Sequence, residues 1–506
     1  MIENSVLTVC NCIRAGIGEI PLVDNHAFRK GVIDTLSAGS RIFGLFASPV
    51  GQKMRLFAVL GHGGTSRINI ISSTVGDAFP SLTPDCPQAE RFEREIAEQW
   101  SIRPVGHPWL KPIRFHHSYG SPVDIWEHLP GDWILPGVID GIKVGGDEMH
   151  EVAVGPVHAG IIEPGHFRFQ CYGEHVYHME ICLGYQHRGI EQALIGGPDP
   201  RTVGFMETLA GDTSIGHATA GCQAMEALSG VSVPPRAHAL RGIALELERI
   251  ANHTGDLGAM AGDVGYLPTA ACCGKLRGDF LNLTAVICGN RFGRRLVRPG
   301  GVAFDISRDT AMQLVERLEK IFRQVKSAVG LLWETPSVLA RFEETGKITR
   351  NLCLDLGLVG PVARACGVDR DARFEFPSGV YRMSHIPVAT CYTGDVFARA
   401  YVRWLEIQRS VVFIKEQLRT LPTGPIMIET GQLAPDSIAV SVVEGWRGEI
   451  CHVALTDRQG RFLRYKVVDP SFHNWMGLQM AMRNQQISDF PICNKSFNLS
   501  YCGHDL

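Results

Sequence analysis

Apolar residues near the start of the chain fall into two short runs, residues 41–47 and 54–60, separated by the turn-forming residues Pro49 and Gly51. Runs of this length bounded by turn residues are typical of paired strands. A charged segment, residues 89–100, follows a proline-containing loop and is expected to form a helix. These patterns predict a small domain in which a sheet is combined with helices.

A second group of strand-like segments begins after residue 150. Residues 167–170 and 176–183 alternate apolar with polar side chains around Gly173, a pattern that predicts a β-hairpin. Residues 438–465 show strand-like runs again, with turns expected at Gly448 and Gly460. The later part of the chain should therefore carry β-hairpin regions at both of its ends.

Between these hairpin regions, apolar residues recur at the spacing of a helix. The clearest series lies within residues 240–251, and similar series occupy residues 314–329 and 396–418. Each series places its apolar side chains on one face of a helix, which predicts burial of that face. This part of the chain is therefore predicted to be mainly helical.

The predicted fold class is α+β, with more than one domain. At 506 residues the chain exceeds one ordinary hydrophobic core. We expect a small α+β domain over residues 1–115 and a mainly helical domain over residues 151–506. Residues 116–150, rich in Gly, Pro and polar residues, are interpreted as the linker between them.

Composition and charge exclude several classes of protein. The net charge is only −3 and the chain has no basic tail, so the sequence lacks the cluster of basic residues that is typical of nucleic-acid-binding proteins. No apolar run reaches the roughly 20 residues needed to span a bilayer, and the first residues lack the pattern of a signal peptide. These features predict an intracellular protein without a membrane span. Neither a P-loop nor a dinucleotide-binding fingerprint is present.

The chain has fifteen cysteines, but none of them forms a Cys-x-x-Cys pair. Structural zinc sites and iron–sulfur clusters need thiolates at paired short spacings. Most of these cysteines are therefore expected to be small buried side chains without a metal.

Short motifs along nearly the whole chain resemble one protein family. Phe79-Pro-Ser81, Phe92-Glu-Arg-Glu95 and Gly106-His-Pro108 resemble the C-type subunit of respiratory complex I. The segment Gly184-Tyr-Gln-His-Arg-Gly-Ile-Glu191 is similar to one shared by the D-type subunit of complex I and hydrogenase large subunits. Further segments, including Val443 to Glu449, also resemble the D-type subunit. The chain thus resembles the fused C/D-type large subunit of group 4 membrane-bound nickel–iron hydrogenases, of the formate hydrogenlyase and hydrogenase-4 type.

In these hydrogenases, two Cys-x-x-Cys segments hold nickel and iron. Residues 207–217 and 498–506 resemble the two segments, and His217 stands at the expected histidine position. The four thiolate positions, however, are occupied by Ala210, Thr213, Ser500 and Gly503. A redox-active nickel centre requires soft sulfur ligands, so the resemblance implies a hydrogenase-like cavity without a nickel–iron centre. Cys502 lies one residue from a ligand position, and its side chain is expected to point away.

The resemblance to complex I implies a quinone-type or proton-coupling pocket. In that family a histidine of the first hairpin loop and an aspartate on a helix lie near the quinone headgroup. His158 matches this histidine and Asp263, eleven residues beyond Asn252, matches the aspartate, while His166 stands in for a second loop histidine. The family's quinone-binding tyrosine is missing from residues 209–213. The alternative for Asp263 is a buried ion pair that supports helix packing.

Three residues of the first metal-site segment are further candidates for proton transfer. Glu207, Asp212 and His217 combine carboxylates with a histidine, and burial shifts the pKa values of such groups. Alternatively, Asp212 caps the helix that begins near residue 213. A third alternative is a zinc site in the vacated cavity, formed by His217, His504, Asp212 and Asp505.

The sequence therefore predicts the large subunit of a membrane-associated, complex I-like oxidoreductase that is active only within a multisubunit complex. The chain itself is expected to bind no cofactor through its own ligands, with quinone as a candidate substrate and a [4Fe–4S] cluster in a neighbouring subunit. The partners implied are an iron–sulfur small subunit resembling the B-type subunit of complex I, ferredoxin-like subunits and membrane-embedded antiporter-like subunits. Their assembly would hold the chain at the cytoplasmic side of the inner membrane. The alternatives are a non-catalytic coupling scaffold and an active nickel–iron hydrogenase.

Overall fold

The computed structural model describes residues 6–158 and 162–506 of the chain. The N-terminal strands are β1 (Leu7–Val9), β2 (Arg14–Gly16), β3 (Leu22–Val23), β4 (Arg41–Val50), β5 (Lys53–His62), β6 (Arg67–Val75), β7 (Ala78–Pro80) and β8 (Arg103–Val105). The N-terminal helices are α1 (Asn25–Ser37) and α2 (Glu90–Trp100). The strands predicted at 41–47 and 54–60, and the helix predicted at 89–100, are confirmed.

The N-terminal sheet has the strand order β1-β6-β5-β4, with β3 added in parallel to β6. Strands β4 and β5 form a hairpin in which Phe46 lies opposite Phe57, and their rings stack with centroids 5.4 Å apart. Gly51 closes this hairpin with a φ of +64°, a conformation that glycine adopts without strain.

The segment between β8 and the next strand contains neither helix nor strand over residues 106–148. It leads into the sheet β11-β10-β9, whose strands are β9 (Met149–Val154), β10 (His166–Tyr172) and β11 (His175–Cys182). Along β10, Phe167 and Phe169 are buried, as the alternating pattern predicts. Of the loop between β9 and β10, residues 159–161 lie outside the described part.

The helical region that follows is assembled from both long and short helices. Its elements are α3 (Ile190–Ala193), α4 (Thr202–Glu207), α5 (Ser214–Ser229), α6 (Pro235–Asp263), α7 (Leu267–Cys288), β12 (Val297–Arg298), β13 (Gly301–Val302), α8 (Arg308–Glu334), α9 (Pro336–Phe342), α10 (Arg350–Asp355), α11 (Gly360–Ala365), α12 (Ala372–Glu375) and α13 (Val396–Arg419). Helices α6, α7, α8 and α13 pack against one another. The three predicted helices are confirmed as parts of α6, α8 and α13.

The chain closes with a hairpin sheet and three short helices. These are β14 (Ser437–Gly445), β15 (Gly448–Thr456), β16 (Phe462–Val468), α14 (Pro470–Ala481), α15 (Phe490–Phe497) and α16 (Tyr501–Asp505). The order of this sheet is β16-β15-β14-β2, so an N-terminal strand pairs with β14. The strands predicted at 438–465 are confirmed. The mixture of helices and sheets is consistent with the predicted α+β class.

The N-terminal and C-terminal parts share one hydrophobic core. Phe92 of α2 contacts Phe472 of α14 with ring centroids 4.9 Å apart, and Val440 and Val453 belong to the same buried cluster as the N-terminal sheet. The motif carboxylates also meet there, because the buried Lys466 bonds to Glu95 at 2.6 Å and to Glu191 at 3.0 Å. The N-terminal part is therefore built into the C-terminal sheet.

Among residues 6–158 and 162–506, no helix is both long enough and apolar enough to cross a lipid bilayer.

Candidate functional site

Arg447, in the turn between β14 and β15, joins the two segments that resemble metal-binding segments. Its Nη1 and Nη2 donate to the two carboxylate oxygens of Asp212 at 2.6 and 2.7 Å. Its Nε donates to the backbone oxygen of Asn498 at 2.5 Å. Residues 207–217 and 498–506 therefore meet across one buried guanidinium group, in the bidentate geometry of a strong ion pair.

This ion pair fixes the charge of Asp212. Burial on its own would raise the pKa of Asp212, but the charge and hydrogen bonds of Arg447 lower it below the usual value. The alternative role for Asp212, capping α5, is not what the structure shows. Glu248 of α6 performs that role, accepting hydrogen bonds from the backbone N–H groups of Ile215 and Gly216 at 2.8 and 3.2 Å.

Glu248 is a buried carboxyl group beside this ion pair. Burial and the negative charge of Asp212 raise its pKa, and the two backbone donors at the start of α5 oppose the shift, so that the pKa of Glu248 lies at about 8. A carboxyl group that titrates near neutral pH can carry a proton. Glu248 could not be recognised from the sequence, because it lies on a helix between residues of an ordinary buried face.

The first two of the four thiolate positions are filled by side chains that cannot bind nickel. Ala210 is fully buried and has no donor atom. Thr213 accepts hydrogen bonds from Trp446 Nε1 at 3.1 Å and from Arg447 Nη1 at 3.2 Å. Its hydroxyl oxygen is therefore already used to hold the β14–β15 turn.

The other two positions lie in the C-terminal tail. The Ser500 hydroxyl accepts a hydrogen bond from the backbone N–H of Gly503 at 2.9 Å and caps the short helix α16. A β-carbon added at Gly503 would lie 2.7 Å from Cγ of Asp469. This donor set does not fit a nickel–iron centre, since it supplies no sulfur, and at Gly503 the side-chain space is already filled.

His217 belongs to a buried chain of hydrogen bonds. Its Nε2 lies 3.0 Å from Oδ2 of Asp469, and its Nδ1 lies 3.1 Å from Nε2 of His452. His452 Nδ1 in turn lies 2.9 Å from the hydroxyl of Tyr465. Burial raises the pKa of Asp469, but the contacts with His217, the charge of Arg447 and the hydrogen bond from Ser471 together lower it below the usual value.

The proposed zinc ligands do not converge. Asp212 is paired with Arg447 and His217 with Asp469, while Nδ1 of His504 lies 2.9 Å from Oδ1 of Asp505. In the part of the chain that the structure describes, no group of three or more His, Cys, Asp or Glu side chains is placed to hold a metal ion.

The C-terminal tail is held by the motif segment after β11. The carboxylate of Asp505 accepts hydrogen bonds from the backbone N–H groups of Gly184 and Gln186 at 2.8 and 2.9 Å. The backbone N–H of Arg188 donates to the oxygen of Leu506 at 3.0 Å. This clamp holds the tail against residues 184–188.

Glu163 and Cys502 line the same region. Glu163 accepts a hydrogen bond from the backbone N–H of Tyr501 at 3.0 Å, and the Cys502 thiol approaches both Glu163 and the backbone N–H of Gly211. The expectation that Cys502 points away from the site was therefore wrong. Burial and the charge of Glu163 raise the pKa of Cys502 to about 12, so the sulfur stays protonated.

Asp263 is the last residue of α6 and lies at the surface of this chain. Desolvation by neighbouring protein raises its pKa, and the charge of Lys495 opposes the shift. Asn252, eleven residues earlier on the same helix, donates to the backbone oxygen of Asp212 at 2.9 Å. At 1.5 Å per residue, Asp263 is about 16 Å along the helix from that contact. The structure therefore separates Asp263 from the Asp212 group.

The two loop histidines lie at the base of the β9–β10 loop. Nε2 of His158 lies 2.9 Å from the backbone oxygen of Gly165, and its ring packs against Phe167 with centroids 5.7 Å apart. His166 begins β10, opposite Cys182 of β11. Among the described residues, no hydrogen bond joins either histidine to Asp263.

Glu207 has a structural contact of its own. Its carboxylate accepts a hydrogen bond from the backbone N–H of Arg295 at 2.6 Å, and the side chain is buried. It therefore holds the loop that follows α7, and it contacts neither Asp212 nor His217 through a hydrogen bond in the described part of the chain.

Besides Glu248, sequence reasoning missed four residues that build this site. Arg447 and Asp469 lie in or beside segments that resemble the D-type subunit of complex I, so the motif around residues 443–449 was the available signal. Glu163 lies in the β9–β10 loop, in which only the histidines were predicted to be functional. Asn498, whose amide also donates to Asp256 at 2.6 Å, begins the tail segment 498–506, but nothing in the sequence distinguishes it from its neighbours.

The chain is similar in sequence to known oxidoreductase subunits. The family described as "Respiratory-chain NADH dehydrogenase, 49 Kd subunit" matches residues 263–439 and 427–505. The carbon monoxide-induced hydrogenase of Rhodospirillum rubrum is 32% identical over 350 residues, which cover 69% of this chain and 97% of that relative.

Two further relatives come from the two branches that the motifs resemble. Formate hydrogenlyase subunit 5 of Escherichia coli is 28% identical over 437 residues, or 84% of this chain and 76% of the relative. NADH-quinone oxidoreductase subunit 4 of Thermus thermophilus is 29% identical over 369 residues, or 68% of this chain and 90% of the relative. The formate hydrogenlyase match extends over more of this chain than the other two.

Proposed function

The chain belongs to the family of group 4 hydrogenase large subunits and D-type subunits of complex I, and from this membership we propose that it forms a nickel-free pocket for substrate reduction and proton coupling. Its relatives are oxidoreductase subunits of multisubunit, membrane-associated complexes. The observation that carries the proposal is the meeting of residues 207–217 and 498–506 across Arg447, with no thiolate at any of the four ligand positions.

Electrons would reach this pocket from a [4Fe–4S] cluster in an iron–sulfur small subunit that resembles the B-type subunit of complex I. Ferredoxin-like subunits would supply that cluster, and antiporter-like membrane subunits would use the energy released. In this arrangement the chain is a peripheral subunit at the cytoplasmic side of the inner membrane. The names of the relatives support the assembly as a whole.

The substrate we favour is a quinone. Its reduction to the quinol takes up two electrons, which the neighbouring cluster supplies one at a time, and two protons. Asp263, His158 and His166 are proposed to lie at the headgroup, as the resemblance to complex I implies. The raised pKa of Asp263 supports its role, because such a carboxyl group holds a proton longer than an ordinary aspartate.

Protons would be exchanged through titratable groups beside the ion pair. Glu248, with a pKa of about 8, takes up or releases a proton near neutral pH. Asp212, Glu207 and His217 are proposed to tune this exchange through their charge. Arg447 stays protonated throughout and keeps Asp212 ionised.

A second candidate function, a non-catalytic coupling scaffold, is favoured by a different observation. Three of the predicted proton carriers are already engaged: Asp212 with Arg447, His217 with Asp469, and Glu207 with the backbone of Arg295. A site built only to transmit motion would need such fixed contacts, and it would need no free proton carrier.

The test uses the intact complex purified from its native membranes. After reduction, decylubiquinone is added and the cluster is followed by electron paramagnetic resonance. Reoxidation on quinone addition, with nickel far below one atom per complex by elemental analysis, is the expected result. An unchanged cluster signal favours the scaffold, and one nickel atom per complex with hydrogen-dependent reduction restores the hydrogenase alternative.

A further inference from the structure

The segment between the two sheets exposes large apolar side chains to solvent. We define the strap as residues 116–148, which contain neither helix nor strand. Trp133 is 90% exposed and Val138 is 72% exposed, and Leu129 and Leu135 are each 55% exposed. Trp133 is a large side chain whose burial against another surface would be strongly favourable.

The strap is held by hydrogen bonds near both of its ends. At its start, the backbone N–H of Tyr119 donates to Gln99 at 2.7 Å. At its far end, the backbone N–H of Ile142 donates to the carboxylate of Glu180 at 3.0 Å. Among the described residues, every hydrogen bond made by residues 126–138 stays within the strap. The two anchored ends therefore limit where the exposed apolar side chains can lie.

The strap is predominantly acidic. It contains six carboxylates and a single lysine, Lys143, whereas the whole chain has a net charge of only −3. The carboxylates are Asp124, Glu127, Asp132, Asp140, Asp147 and Glu148. Acidic and apolar side chains are thus interspersed along one irregular segment, so the complementary surface combines apolar pockets with basic groups.

We propose that the strap is a docking element for another protein subunit, which receives Trp133 in an apolar groove rimmed by Lys and Arg. A tryptophan that enters a pocket at the centre of a contact is a frequent source of binding energy. The acidic charge argues against a bilayer as the partner, because the cytoplasmic lipid surface is itself negative. The inference rests on the proposed function only in that the chain works within a multisubunit assembly.

The strap begins close to the candidate functional site. His116, at the start of the strap, stacks on His187 with ring centroids 4.6 Å apart, and His187 Nδ1 lies 2.7 Å from the backbone oxygen of Asp505. The strap therefore begins next to the clamp that holds the C-terminal tail. A partner protein docked on it lies beside the pocket and holds the strap in place.

Photocrosslinking in the intact complex tests this proposal. Benzoylphenylalanine is placed at position 133 in place of Trp133, and at position 22 in place of Leu22, an apolar control on β3 that is 58% exposed. After illumination, crosslinked peptides are identified by mass spectrometry. The expected result is a crosslink from position 133 to an identified subunit, at a site flanked by Lys or Arg. A crosslink of position 133 only to lipid, to a second copy of this chain or within the chain overturns the proposal, as does none at all.

A paired variant gives a second readout. Trp133→Ala with Leu135→Ser is expected to reduce retention of that subunit in a salt wash by about tenfold, while Leu22→Ser leaves it unchanged. Unaltered retention in the paired variant overturns the proposal. The quinone assay separates the two proposals: crosslinking without reoxidation of the cluster refutes only the quinone function, and reoxidation without crosslinking refutes only the docking.

Discussion

The carboxylate of Asp469 fills the space that a side chain at Gly503 would occupy. A β-carbon built at Gly503 lies 2.7 Å from Cγ of Asp469 and 2.8 Å from its Oδ2. Asp469 is held there because it accepts a hydrogen bond from the backbone N–H of Ser471 at 2.7 Å and bonds to His217. The packing around position 503 therefore leaves no room for a thiolate side chain.

Gly503→Cys is expected to destabilise the chain. The new side chain must displace Asp469, which caps α14, so we expect a loss of about 1–3 kcal/mol in the free energy of unfolding. Gly204→Cys on α4 is the matched control, because nothing lies within 4 Å of a β-carbon at that position. Denaturant unfolding of both variants measures the difference, and equal stability of the two would contradict the packing argument.

Arg447→Met tests the ion pair that joins the two segments. Its removal leaves Asp212 without its counter-ion. We expect the free energy of unfolding to fall by about 3 kcal/mol, the lower end of the range for a broken buried pair, because the Asp212 side chain is 31% exposed. Adding Asp212→Asn removes the uncompensated charge and should recover part of the loss. Strictly additive losses in this double-mutant cycle would show that the two groups are not coupled.

The sequence located the two segments of the site but not the way they are joined. Their approach was expected, because short motifs on both segments resemble segments that share a metal in one family. Arg447 and Asp469 could not be assigned in advance, since both act on partners more than thirty residues away in sequence. Cys502 was misplaced because the tail forms a helical turn capped by Ser500, and this turn carries the thiol toward Gly211.

In the fold, too, individual helices and strands were predicted from the sequence, but their long-range packing was not. Continuous apolar runs predicted the strands β4 and β5, and helical periodicity predicted α13, since apolar patterns report which positions of an element are buried. Such a pattern does not show which other element packs against the buried positions. The pairing of β2 with β14 joins residues more than 400 positions apart, so the core shared by the two ends of the chain lay beyond sequence reasoning.

Asp263→Asn tests the proposed quinone site. The amide keeps the size of the side chain but cannot release a proton, so we expect at least a tenfold loss of quinone-dependent turnover with the complex intact. Asp369→Asn, at another exposed aspartate, is the control. Steady-state turnover and gel filtration of the purified complex report the two effects, and wild-type turnover in the Asp263 variant would reject its role.

Glu248→Gln tests the proton carrier beside the ion pair. Burial raises the pKa of Glu248 to about 8, so the group is protonated below that pH and ionised above it. If it donates a proton during turnover, the wild-type rate should fall above about pH 8. The variant should lose this alkaline limb of the pH–rate profile, whereas Glu316→Gln on the exposed face of α8 should keep it. An unchanged limb in the Glu248 variant would exclude this carboxyl group.

The stack of His116 on His187 should make the junction of strap and tail sensitive to acid. Burial lowers the pKa of each histidine to about 4, while the unfolded value is about 6.5. Above pH 6.5 both rings are neutral in both states, so the stack contributes no pH dependence there. Between pH 6.5 and pH 4 the unfolded chain binds protons that the folded chain does not. The free energy of unfolding therefore decreases as the pH is lowered through this range.

At pH 5 this linkage amounts to roughly 2 kcal/mol for each histidine. The double variant His116→Phe with His187→Phe keeps two aromatic rings but removes both titrating groups, so it should lose less stability than the wild type between pH 7.5 and pH 5. The variant His26→Phe, at an exposed position of α1, is the control and should behave as the wild type. Denaturant midpoints at the two pH values give the comparison. Equal losses in the wild type and the double variant would show that the stack does not govern the acid sensitivity of the fold.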